Sequence, residues 1–207
     1  YAATAGEDWM RLDLCEDALR LGRMLQQLLP DEPEVHGLAA LMELQSSRMG
    51  ARRGADGEAV LLLDQDRTRW DWLLIDRGLK AIDRAHACPG TPGPYTLQAE
   101  IAACHARARR AEDTDWRPIA ERYEVLSELT GSPVVELNRA VAVGMAEGPA
   151  AGLASLDSIA DEPALANYHL LPSVRGDLLK KLHRLDEARV EFERAASLTR
   201  NAREQQL

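Results

Sequence analysis

The sequence predicts an all-α protein, an α-solenoid of antiparallel helical hairpins. Hydrophobic residues fill 45 % of the 207 positions but aromatics only 4 %, so the interior must be Leu, Ala, Val and Ile, the side chains of packed helices. Apolar residues recur every three to four positions along most of the chain, which puts them on one face of a helix. A hairpin pattern also occurs twice near the C-terminus: Gly176, Leu179, Ala188, Phe192 and Ala195 repeat Ala140, Val143, Gly152, Leu156 and Ile159 at a constant offset of 36 residues.

That order of small, large, small, aromatic and small positions is the order of a tetratricopeptide unit. Antiparallel helices approach closely only where small residues stand at the crossing, and Gly176 with Ala188 is the expected crossing of the second copy. One hairpin cannot bury its apolar face alone, so neighbours stack on it with a usual period of about 34 residues. Residues 1–207 therefore read as a single tetratricopeptide-like helical-repeat domain, with function expected on a groove.

The elements follow in order. Residues 8–29 carry Leu14, Ala18, Leu21, Leu25 and Leu28 on one stripe, and Pro30 stops the helix. Asp31, Glu32 and Glu34 place acid at the start of the next helix, where it complements the helix dipole; Val35, Leu38, Ala39 and Met42 are its expected buried face. This first helical pair spans 1–53. Gly50, Gly54 and Gly57 then mark an irregular connector over 54–69, with Ala59 to Leu63 as an extended segment. Asp64, Asp66 and Thr68 resemble a calcium loop only superficially, because Arg69 and Ile75 occupy the positions that need glycine and glutamate.

Central helices fill 70–130. One opens at Trp70 and Trp72 and runs to Ala87, a second covers Tyr95 to Arg110 beyond a Pro and Gly connector, and a third follows Asp115 and Trp116 to Leu129 with Ile119, Tyr123 and Leu126 inward. The two hairpins occupy 132–199. In total nine or ten helices and no sheet are expected.

Composition narrows the function. The net charge of −9 argues against a grip on nucleic acid by phosphate neutralisation. Basic clusters at Arg48, Arg52 and Arg53, at Arg107, Arg109 and Arg110, and at Lys180, Lys181 and Arg184 read as cationic last turns of helices. Cys15, Cys88 and Cys104 have no CxxC spacing and read as reduced, mostly buried thiols, with no metal site and no disulfide framework. No apolar run reaches the roughly 18 to 20 residues of a membrane span and no signal peptide is recognisable, so a cytoplasmic location is expected. There is no phosphate loop, nucleophile elbow or HExxH motif, so neither catalytic residues nor a cofactor are expected.

Groove candidates are polar residues at positions where the repeat prefers apolar ones. Arg139 and Arg175 each precede the small crossing residue of their copy; an acid such as Glu136 or Asp177 is near enough to hold either one structurally. Gln98, His105, Asn138, Tyr168 and His169 are polar groups within apolar helical stretches, as a peptide or ligand groove requires.

The stretches YAATAG (1–6), LLPDEPEVHGLAALMEL (28–44), LLLDQDRTRWD (61–71), GPYTLQAEIAACHARA (93–108), EDTDW (112–116) and SPVVELNRAVAVGMAEGPAAGL (132–153) carry a family resemblance. They resemble the C-terminal tetratricopeptide extension of bacterial RNA polymerase sigma factors of the extracytoplasmic-function type. The chain departs from the repeat at His183, where such a unit commonly has Gly. The resemblance implies a sigma factor whose promoter-reading and polymerase-binding regions precede this extension; a start at Tyr1 without Met fits such a C-terminal piece. The implied partners are the sigma regions of the same chain and core RNA polymerase, with promoter DNA contacted only through those preceding regions and no membrane involved. Composition and periodicity alone accept a stand-alone adaptor binding a partner peptide equally well, and a small-molecule sensor pocket inside the solenoid is compatible with the sigma reading.

Overall fold

The computed structural model describes residues 11–54 and 58–199, and among these the fold is all-α, with nine α-helices and no strand beyond an isolated bridge between Arg53 and Ala59. The helices form two compact units, one ending at Thr114 and the other beginning at Asp115, a boundary that falls inside the 70–130 stretch.

The first unit holds α1 (Leu12–Leu28), α2 (Pro33–Ser46), α3 (Trp72–Ala87) and α4 (Pro94–Arg107). α2 packs against the other three. Each contact is made where a glycine removes a Cβ. A Cβ on Gly22 of α1 would stand 3.3 Å from Met42 Cε, one on Gly78 of α3 would stand 2.7 Å from Leu44 Cγ, and one on Gly37 of α2 would stand 2.3 Å from Thr96 Oγ1 and 2.6 Å from its backbone nitrogen on α4. Surrounded in this way, α2 buries His36, Gly37, Ala39, Ala40, Glu43 and Leu44. The expected face of Val35, Leu38, Ala39 and Met42 is thus corrected: only Ala39 is fully buried, because a helix enclosed by three others has no single apolar stripe.

The stripe on α1 is corrected as well. Leu14, Ala18, Leu21 and Leu28 are exposed and Leu25 is half-buried; the edge turned to α2 runs through Cys15, Leu19, Gly22 and Gln26, one position round and so rotated by about 100°. Beside the packing of Gly22 on Met42 and Ala39, the α1–α2 contact holds polar pairs, which apolar periodicity does not register. Arg23 Nε donates to Glu43 Oε1 at 2.7 Å. His36 lies with Nε2 2.7 Å from the Pro30 carbonyl, an acceptor only, so Nε2 carries the proton and Nδ1 accepts from Gln26 Nε2 at 3.1 Å.

The acidic start of α2 does more than face its own dipole. Glu34 reaches across to α4, whose N-cap is Gly93 and has no side chain to offer. Its Oε1 accepts from the backbone N–H groups of Gly93 (3.2 Å) and Thr96 (3.1 Å) and from Thr96 Oγ1 (2.6 Å), and its Oε2 from Tyr95 N–H at 2.7 Å. Trp70 and Ile75 lie in the core of this unit with Leu44 and Ala99, while Trp72 is exposed. Asp71 caps α3 by accepting from Leu73 and Leu74 N–H at 2.9 and 3.1 Å. None of the three cysteines forms a disulfide, and all are half-buried, less enclosed than expected.

The second unit holds α5 (Trp116–Thr130), α6 (Pro133–Ala146), α7 (Pro149–Asp157), α8 (Leu170–Lys181) and α9 (Leu185–Leu198), each packed on the next. Ile119 and Leu126 of α5 are buried and Tyr123 is half-buried. The α6–α7 crossing is glycine on glycine: a Cβ on Gly152 would meet Gly144 Cα at 2.7 Å and the Ala140 carbonyl at 2.9 Å. In the α8–α9 hairpin Gly176 lies against the Phe192 ring, 2.7 Å from the position of an added Cβ. Ala188, its expected partner at the crossing, is buried in a cluster with Leu153 and Leu179. The aromatic position thus fills the space left by glycine.

α8 ends in a Schellman turn. His183 N–H donates to the Lys180 carbonyl and Arg184 N–H to the Leu179 carbonyl, both at 3.0 Å, with His183 at φ 60°. The residue that departs from the glycine of the repeat therefore occupies the left-handed position that the glycine would serve.

Candidate interaction site

α6 and α8 present a shallow groove of about 150 Å³ lined by Val141, Met145, Ser173, Val174, Asp177, Leu178 and Lys181. Val141 with Met145 and Asp177 with Lys181 are i, i+4 pairs on their helices, and each pair lies 36 residues from the other, so equivalent faces of two successive hairpins form the walls. Lys181 Nζ is 2.7 Å from Asp177 and 3.9 Å from Met145 Sδ, which lays a cation and an anion along one wall beside a partly exposed thioether. This mixture of apolar floor and charged rim suits an amphipathic peptide segment.

Arg139 and Arg175 stand beside the helix crossings. Arg139 Nε donates to Glu136 Oε1 at 2.8 Å, and its Nη2 donates to Ser155 Oγ at 3.2 Å on α7. The hydrogen bond and charge of Arg139 hold the Glu136 carboxyl below its usual range. Arg175 pairs with Asp157, and its Nε lies 3.3 Å from Glu191 Oε1 on α9. Ser155 and Glu191 are themselves 36 residues apart, so both arginines cross to the same position of the partner helix in their own hairpin. Asp177, the acid expected near Arg175, is taken by Lys181.

The other sequence-derived candidates do not converge. Gln98 is exposed on α4, donating to its own Pro94 carbonyl at 3.1 Å, and His105 is buried on the same helix, both in the first unit. Asn138 is exposed on α6. Tyr168 packs against the Leu137 and Leu156 cluster, with the His169 ring 5.9 Å away at the start of α8. None of the seven candidates lines the groove. The signal that would have found it was the 36-residue offset itself, applied to half-exposed positions such as Met145 and Lys181 rather than to the small crossing residues.

No helix among the described residues is long and apolar enough to cross a membrane. Residues 1–86 match a family described as a family of unknown function (DUF6596). The chain is similar to an uncharacterized protein of Rhizobium meliloti (strain 1021), 48 % identical over 204 residues that cover 99 % of this chain and 48 % of that protein. It thus spans about half the length of this relative. No solved structure matches.

Proposed function

We propose that this chain is the regulatory extension of a bacterial RNA polymerase sigma factor of the extracytoplasmic-function type, built as a tetratricopeptide-like array, and that it modulates transcription initiation from the groove between α6 and α8. The observation that carries the structural half is the recurrence of one cross-hairpin contact, Arg139 to Ser155 and Arg175 to Glu191, at the repeat offset. The sigma half rests on the sequence resemblance, and a similar protein about twice as long leaves room for promoter-reading and polymerase-binding regions.

The physics suits an intramolecular regulator. A groove tethered to its target by a short linker works at an effective concentration on the order of millimolar, so a shallow, half-polar groove is sufficient. Regulation then becomes a population shift between docked and open forms. The test is promoter-directed transcription by the longer protein with and without this chain, alongside Met145→Asp, which puts a second carboxylate in the groove beside Asp177. A change on deletion that Met145→Asp reproduces supports the reading. Equal transcription in all three removes it.

A further inference from the structure

The basic cluster at the end of α2 is more than the last turn of a helix. Arg48 and Arg52 are half-buried, and both direct Nη2 to a single neutral acceptor, Gln45 Oε1, with 2.8 Å for Arg52. Beneath them Arg67 is only 4 % exposed and Trp70 3 %. The Arg67 guanidinium stacks 4.9 Å from the centre of the Trp70 ring, and that of Arg48 lies 6.0 Å from it. Arg67 Nη1 donates to the carbonyls of His105 and Ala108, each at 2.7 Å, and Nη2 to Thr114 Oγ1 at 3.2 Å, which ties down the end of α4.

Two donors remain unmet: Arg67 Nε and Trp70 Nε1 are buried without an acceptor. No ion pair joins Arg48, Arg52 or Arg67 to a carboxylate among the described residues. Glu112 and Asp113 act on Arg67 only at longer range and are held by Arg110. Burial, then repulsion by Arg52 and Arg67, pushes Arg48 down to about 10, and burial also lowers Arg52 and Arg67. The same burial and the charges of Arg48 and Arg67 push His105 down to about 4, so it adds no positive charge at neutral pH. Three crowded cations sharing neutral acceptors in a protein of net charge −9 are a costly arrangement that an anion would relieve.

We propose that Arg48 and Arg52, backed by Arg67 and Trp70, form a binding site for a compact oxyanion of the phosphate type. Two half-exposed guanidinium forks give the bidentate donors that a tetrahedral dianion takes, and the third charge behind them favours a dianion over a monocarboxylate. The enclosed positions of Arg67 and Trp70 restrict the occupant to a small group. This site lies in the first unit and is independent of the sigma reading, which concerns the α6–α8 groove.

The test is titration of the chain with inorganic phosphate at constant ionic strength, followed by thermal unfolding and by the Trp70 indole N–H resonance, assigned with Trp70→Phe. Expected are a saturable rise in unfolding temperature, a shifted Trp70 resonance, and affinity reduced at least tenfold in Arg52→Gln. Arg48→Lys, which keeps the charge but loses the fork, should weaken binding by a smaller factor. The proposal is overturned if phosphate acts no differently from chloride, if Arg52→Gln binds as tightly as the parent, if the Trp70 resonance stays fixed at saturation, or if acetate binds equally well.

Discussion

Three single residues make measurable predictions, two of them at helix ends and one buried within α4. His183 holds a left-handed conformation at φ 60°, which costs an L residue on the order of 1 kcal/mol. His183→Gly should therefore raise stability by about 0.5–1 kcal/mol, read as a higher urea midpoint at unchanged slope. Glu34 caps α4 in place of a side chain that Gly93 lacks. Glu34→Gln removes the charge and half of the acceptor oxygens and should cost about 1–3 kcal/mol, whereas the exposed Glu32→Gln should cost little. His105, pushed down to about 4 in the folded state, takes up its proton in the unfolded chain first, near pH 6.5. Its contribution is therefore present above pH 6.5 and is lost as pH falls from there toward 4, by on the order of 2–3 kcal/mol. His105→Gln should flatten the stability slope across that window in urea unfolding at pH 7, 5.5 and 4.5.

At the scale of elements, packing is controlled by where helices cross, and glycine does not mean the same thing at each crossing. At Gly152 an added Cβ meets backbone, the Gly144 Cα at 2.7 Å, so α6 and α7 must separate. Gly152→Ala should cost about 1–3 kcal/mol despite its better helix propensity. At Gly176 the obstacle is the half-exposed Phe192 ring, which can swing away, and the helix propensity gain of about 1 kcal/mol offsets the disturbance. Gly176→Ala should be close to neutral. Thermal unfolding of the two variants side by side checks the contrast; equal losses would mean that the ring is as immovable as backbone.

The whole chain carries net charge −9, so duplex DNA finds little to hold. Fluorescence anisotropy with a short duplex at physiological salt should show no saturable binding below roughly 100 μM, the weak end of ordinary non-specific affinities.

The all-α class and most helix boundaries were legible in the sequence, because periodicity, caps and Pro or Gly punctuation are local properties. Pro30 ended α1 and Asp115 opened α5 as the sequence implied, whereas the Asp71 cap of α3 and the left-handed Gly131 after α5 were not picked out. What the tertiary structure alone decided was which face each helix turns and which distant groups meet. Leu14, Leu21 and Leu28 of α1 are exposed because the edge turned to α2 runs instead through Leu19, Gly22, Arg23 and Gln26. Glu34 caps a helix about sixty positions away in the chain, and Arg67 closes the end of α4. Such partnerships join residues far apart in sequence through charge and close approach, which no local apolar pattern encodes, whereas helix formation needs only neighbours within one turn.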